Sequence, residues 1–240
     1  MTPSLNIDII SNETSGMIKK NTVLMDYLAD CSVIDEFIKA SQNGTPLLKI
    51  GHMTPRIMII AGIHGNELPP QIASIYMIEN LLEKQIEGTL YIIPFAVPYA
   101  TMENSRRFKG IDMNRAASKG GFISHNIIET IKKFKINAVG DFHSTKPGSN
   151  PGIESVFCSK NPSNQSCLIA KHITEVSSSK LICHNEAGRL YNGALEDECN
   201  LKGIPAVTCE VVSRNGIVDN NSHKRSFLQM ESYLKYFNMI

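Results

Sequence analysis

Hydrophobic residues recur along the chain in two rhythms. Over 23–40, VLMDYLADCSVIDEFIKA, apolar side chains return every three or four positions, which predicts an amphipathic helix. The Asn43-Gly44 pair and Pro46 end it. Short apolar runs at 47–51 and 56–62 predict two strands joined by a tight turn. The helical rhythm returns at 70–85, opening on proline, whose missing N–H costs nothing in a first turn. A strand at 89–98, a long polar loop at 99–121, a helix at 123–135 and a strand at 137–142 continue the series. Further strands are expected at 153–157, 180–184 and 205–212, with helices at 164–177, 193–202 and 224–237.

Strands alternating with helices place the chain in the α/β class, as a single domain with a central mixed, mostly parallel sheet flanked by helices. Within that domain 1–44 reads as an N-terminal helical extension, 45–212 as the core and 213–240 as a C-terminal helix. The 240 residues are 42% hydrophobic, enough for one sizeable core, and no internal repeat interrupts them.

Charge and composition narrow the partners. The formal net charge is +1, Trp is absent and aromatic content is 7%, so neither a basic face nor a base-stacking platform is expected and nucleic acid is not a partner. No apolar run approaches the roughly 18 residues of a membrane span. The start, MTPSLNIDIISNETSG, has no basic segment followed by an apolar block, so the reading is a cytoplasmic protein. The six cysteines then read as free thiols; they contain no CxxC pair and do not suggest one six-cysteine metal cluster.

In open α/β sheets, sites gather beyond the carboxyl ends of strands. His64 and Glu67 follow the 56–62 strand directly, and His143 ends the 137–142 strand. Glu210 interrupts an otherwise apolar strand, where a charge needs a reason. Arg106, Arg107, Asp112, Asn114 and Arg115 fall in the long loop. Two imidazoles and a carboxylate suit zinc, which in catalytic sites takes three protein ligands and leaves a position for water. Such an ion lowers the pKa of water toward ~7. A separate carboxylate, here Glu210, must then carry the proton to the leaving amine. Other divalent cations suit the same ligands. Asp141 is either structural or shapes the ligand loop. Taken singly, a core histidine is usually a hydrogen-bonded structural group and a loop arginine a solvated one. It is the convergence on one rim that points to a site. His52, His125, His172, His184 and His223 fall in turns or on polar faces and take no role.

The segments HGNE (64–67), DMNR (112–115), DFHST (141–145) and EVV (210–212) resemble, in order, the zinc carboxypeptidase superfamily, nearest to its succinylglutamate desuccinylase/aspartoacylase branch. The resemblance spans about 45–212 and implies a zinc carboxypeptidase-like fold. It implies one zinc ion on His64, Glu67 and His143. Arg107, eight residues before Arg115, would steady the oxyanion. Asn114 and Arg115 would hold the substrate's α-carboxylate, the arginine by a bidentate contact. Glu210 would be general base and then general acid. Tyr191, 19 residues before Glu210, would match the mobile tyrosine of related peptidases. Glu196 lies in ALEDEC (194–199), where those peptidases set side-chain specificity. That acidic cluster would favour an amino-bearing substrate, or else is a solvated helix face. Members of the branch continue into a C-terminal β-rich domain over the site. Here 30 residues follow Glu210, so a more open entrance is expected.

The expected activity is zinc-dependent hydrolysis of an amide bond beside a free carboxylate, on a small molecule or short peptide. An N-acyl-amino-acid deacylase and a metallocarboxypeptidase share these residues, and the motifs do not separate them. A zinc-binding module without turnover would need neither Glu210 nor Arg107.

Overall fold

After its first residue the strand β3 (Arg56–Ala61) is apolar because it is covered on both faces. Ile57 and Ile59 enter one buried cluster, Met58 and Ile60 another. The computed structural model describes residues 5–240. Its eight strands form one sheet in the order β1-β2-β4-β3-β5-β8-β6-β7. These are β1 (Ile7–Ile9), β2 (Pro46–Gly51), β3, β4 (Thr89–Ile93), β5 (Ala138–Thr145), β6 (Ser155–Asn161), β7 (Lys180–Glu186) and β8 (Ala206–Val212). The four central strands β4, β3, β5 and β8 run parallel; β1/β2, β2/β4 and β6/β8 pair antiparallel, and β6/β7 parallel. The mixed, mostly parallel sheet expected from the alternation is therefore present.

Two helical layers cover it. α1 (Thr22–Leu28), α2 (Ile34–Ser41), α3 (Leu68–Leu81), α6 (Gln165–Val176) and α8 (Ser222–Tyr236) pack on one face, with α3 against α8 and α6 against α8. α5 (Ile123–Lys133) and α7 (Leu195–Leu201) pack on the other. The chain leaves β3 through α3 to β4 on one side, then returns through α5 to β5 on the other. The carboxyl ends of β3 and β5 thus flank the point where the winding reverses, where open sheets place their crevices.

Several expected boundaries move. The 23–40 pattern is two helices, not one. Asn21 caps α1 by accepting from Leu24 N at 3.0 Å, and Ser32 N donates to Glu79 Oε1 at 2.6 Å in the turn that separates the helices. Both keep an apolar face on the core through Leu24, Leu28, Ile34, Phe37 and Ile38, so the rhythm runs on across the break. The 1–44 segment is not wholly helical: β1 pairs with β2, Ile7 opposite Leu48. Pro94, which cannot donate to a ladder, follows the end of β4. The long loop contains a short helix, α4 (Pro98–Met102). The strand expected at 153–157 is β6, starting and ending later, and β5 runs past His143 to Thr145. Among the described residues no helix is long and apolar enough to cross a membrane.

Candidate metal centre and active site

The turn after β3 carries His64, and Glu67 is the residue that precedes α3. The turn is packed tightly: a Cβ at Gly65 would stand 2.0 Å from the Ala100 carbonyl carbon, so only glycine fits. From inside α3, buried Gln71 donates to the carbonyls of Gly65 at 3.1 Å and Glu67 at 2.8 Å, and accepts from Thr101 Oγ1 at 2.8 Å. Glu67 does not use its carboxylate to cap its own helix. It points into the sheet's rim instead.

There it gathers the site. His64 Nδ1 stands 2.8 Å from Glu67 Oε1, and His143 Nδ1, on β5, 2.8 Å from Glu67 Oε2. Ser144 N also donates to Oε2 at 3.1 Å, and an Arg106 amine to Oε1 at 2.7 Å. The outer nitrogens are backed as well. His64 Nε2 stands 2.9 Å from Asp112 Oδ1, and His143 Nε2 2.9 Å from Asp141 Oδ2, an ion-pair distance without the alignment of a hydrogen bond. His64, Glu67, His143 and Asp141 are all buried. Burial opposes protonation of the imidazoles, but the carboxylates beside them prevail and raise both pKa values, His143 strongly. Burial likewise opposes ionisation of Glu67, and the two imidazoles outweigh it and hold that carboxyl well below the usual range.

This donor set fits a divalent metal ion. One atom from each of His64, Glu67 and His143 lies within 4.8 Å of the others, all three buried. Two imidazole nitrogens and a carboxylate are a zinc-type set, and imidazoles backed by carboxylates are the usual outer support of such ligands.

Glu210, on β8, sits opposite His143 in the parallel register. Its Oε2 is buried with no hydrogen-bond partner. Burial, and then the charge of Glu67, push its carboxyl up to about 8. It borders a cavity that is partly open to solvent. His64, Arg106, Asn114, Arg115, Tyr191 and Glu196 border the same cavity. Asn114 follows Asp112 in a short 3-10 turn, and its Oδ1 accepts from Leu195 N at 3.0 Å, which leaves its amide NH2 for the cavity. Arg115 lies over the Tyr191 ring at 5.3 Å and bonds the Asn114 carbonyl.

Two expectations change. Arg107 does not reach the cavity: its guanidinium bonds Gly110 O at 3.0 Å at the surface, while Arg106 turns inward to Glu67. The two guanidiniums have different anchors, the buried Glu67 carboxylate for Arg106 and the Gly110 carbonyl for Arg107. The 194–199 cluster is no solvated face. Glu196, Asp197 and Glu198 are buried, and Glu196 accepts from Asn200 Nδ2 at 2.6 Å. Burial, reinforced by Asp197, raises the Glu196 carboxyl well above its usual range, which favours the neutral acid.

The sequence reading gave no site role to Arg106, Asp112 or Gln71, and it missed Phe157 and Thr208 in the cavity wall. Asp112 carried a signal, as the acid opening DMNR two residues before Asn114. Phe157 and Thr208 carried none, being ordinary strand residues.

The model of the succinylglutamate desuccinylase/aspartoacylase catalytic domain matches residues 53–236. No curated protein matches the chain by sequence. Among solved structures, a succinylglutamate desuccinylase/aspartoacylase from Rhodobacter sphaeroides superposes with a TM-score of 0.64 at 15% identity, over 83% of this chain and 62% of that one. A metallo-carboxypeptidase from Burkholderia cenocepacia gives 0.64 at 12% identity, over 98% and 65%. The chain thus spans less than two thirds of either protein. A protein from Shewanella denitrificans assigned as a metallopeptidase gives 0.64 at 12% identity over the whole of both chains. At such identities these likenesses speak for the fold. The family match takes in every segment that meets at the rim, and with it the chain is a member of the succinylglutamate desuccinylase/aspartoacylase catalytic-domain family.

Proposed function

We propose that the protein is a zinc-dependent hydrolase of an amide bond beside a free carboxylate, acting as an N-acyl-amino-acid deacylase. The observation that carries this reading is a buried His64–Glu67–His143 donor set beside Glu210, whose Oε2 has no partner, with His64 and Glu210 bordering one cavity.

His64, Glu67 and His143 would hold the ion. When bound, it supplies a Lewis acid for the amide carbonyl and an acidified water. The chain's own groups do the rest. Arg115 and the free amide NH2 of Asn114 bind the substrate carboxylate and set the scissile bond against the donor set. Glu210, whose Oε2 has no other partner, accepts a proton from the attacking water and delivers it to the departing amine. Arg106, which borders the cavity and reaches Glu67, donates to the oxygen on which negative charge grows. Tyr191 stacks on Arg115 and fixes its plane. Glu196, buried and bonded to Asn200, offers a hydrogen-bonding group on the cavity wall.

A carboxypeptidase reading has its own support: the partly open cavity and the alignment of 98% of the chain with a metallo-carboxypeptidase. One experiment separates the readings. Zinc-loaded protein is incubated with N-acyl amino acids, including N-acetyl-Asp and N-succinyl-Glu, and with peptides of varied C-terminal residue, each beside Glu210→Gln. Release of the acyl group by the wild type alone, at equal zinc content, is expected. Loss of a C-terminal residue would replace the deacylase by the peptidase. Equal products from Glu210→Gln would remove Glu210 from the chemistry.

A further inference from the structure

A second cluster of metal-ligating side chains lies away from the active site. Cys158 on β6, Cys167 in the first turn of α6 and Cys183 on β7 bring their sulfurs within 4.8 Å of one another. Cys158 and Cys183 are register partners on adjacent parallel strands, so their side chains leave the same face of the sheet. α6 lies on that face and lowers Cys167 between them, its Sγ 3.3 Å from Cys158 Sγ and 2.8 Å from Cys183 Sγ. All six cysteines of the chain are free.

We propose that Cys158, Cys167 and Cys183 form a three-sulfur site for a soft, thiophilic metal ion, distinct from the His64–Glu67–His143 centre. Three consecutive elements each deliver one sulfur to a common point, and among the described residues no His, Asp or Glu joins that group. An all-sulfur, three-coordinate set selects ions such as Cu(I) or Cd(II) over the harder cations that imidazole and carboxylate favour. A disulfide would use two of the sulfurs at about 2.05 Å and leave the third without purpose. A metal uses all three, and bonds of roughly 2.3 Å would spread them to about 4 Å apart. Cys167 has room for that adjustment, since it and Cys183 are only half-buried, and Cys183 borders a surface groove with Glu186 and Arg189 that gives entry. Burial raises the pKa of Cys158 strongly and that of Cys167 to about 11, so without a cation these two remain thiols of low reactivity. Binding replaces their protons by the ion. Because β7 is the edge of the sheet, the bound ion would tie that strand and α6 to β6.

The test is titration of the reduced full-length protein with cadmium chloride, read by sulfur-to-cadmium charge-transfer absorption. Imidazole and carboxylate ligands do not produce that absorption, so the active-site centre is silent in it. The expected result is a band that saturates at one cadmium per chain. It should be lost in Cys167→Ala and in Cys183→Ala, each checked for a native circular-dichroism spectrum, and kept in Cys31→Ala. A second readout needs no variant: bound cadmium should shield the two half-buried thiols, Cys167 and Cys183, from a thiol-alkylating reagent. No band from the folded wild type, or a band unchanged in both folded variants, would overturn the site. So would a mass two hydrogens short with Cys167 and Cys183 found joined in protein never treated with oxidant.

Discussion

Asp141 and His143 lie two positions apart on β5, so their side chains share one face of the strand, and Asp141 Oδ2 stands 2.9 Å from His143 Nε2. Asp141 is fully buried and neither of its oxygens has a well-aligned hydrogen-bond donor. A carboxylate is costly to bury for its own sake. Its ion-pair partner is the far side of a ring whose near side faces Glu67, and that explains its place: it fixes which way His143 turns.

Asp141→Asn should therefore weaken metal binding without changing the fold. Outer partners of this kind typically cost about 10–100-fold in affinity when replaced. Competition against a chromophoric chelator measures the loss, and thermal melting of the metal-free protein checks the fold. An unchanged affinity would make Asp141 a structural residue only.

Glu67 is the hub of the metal-free site. It faces His64 and Arg106 on one oxygen and His143 and Ser144 N on the other. Removing it leaves several buried donors without their acceptor, and breaking buried charged pairs in this way costs about 3–5 kcal/mol. Glu67→Ala should lower unfolding stability by that order in excess chelator, measured by urea denaturation, and should also abolish metal binding. A loss of metal with stability intact would show that the imidazoles find other partners.

Much of this site was legible in the sequence because its parts sit at strand ends, where a polar group breaks an apolar run. His64 and Glu67 close the run of β3, His143 stands near the end of β5, and Glu210 interrupts β8. The strand and helix types were legible for the same reason, since burial on one or two faces writes its period into the chain. What escaped was decided by direction rather than by residue type. Nothing in RRFKG tells which arginine turns inward, because either could make a surface contact. The burial of 196–198 was hidden because a helix N-terminus rich in acids usually meets water, whereas here α7 is inserted against β5 and β6. The three-residue β1 was too short to show a period.

The two arginines give a direct comparison. Arg106 borders the cavity and reaches Glu67, while Arg107 is held by Gly110 O at the surface. Arg106→Ala should lower kcat by about 10²–10³, the usual loss for a donor to a developing oxyanion. Arg107→Ala should leave kcat within a few fold. Steady-state kinetics on whichever substrate the hydrolysis panel yields will show this. The reverse ranking would mean that Arg107 leaves Gly110 and swings inward when substrate binds.

Gly193 joins the two halves of the carboxylate pocket. Its backbone has φ +80°, a conformation costly for any residue with a Cβ, and an added Cβ would stand 2.6 Å from the Arg115 carbonyl oxygen. Its own carbonyl accepts from Ala117 N at 3.0 Å. The loop bearing Tyr191 and the turn bearing Asn114 and Arg115 are thereby held at one separation, with the Arg115–Tyr191 stack across the gap. Gly193→Ala must strain the backbone, push the two segments apart, or both. The strain alone is worth about 1–3 kcal/mol. The expected result is a lower Tm together with a raised KM, because Arg115 and Asn114 shift relative to the donor set while His64, Glu67 and His143 stay in place. Metal affinity, measured by chelator competition, should be unchanged. That separation of effects identifies the position as one that sets the substrate's carboxylate against the metal centre. A fall in metal affinity as large as the rise in KM would instead mean that the distortion spreads to the rim of the sheet.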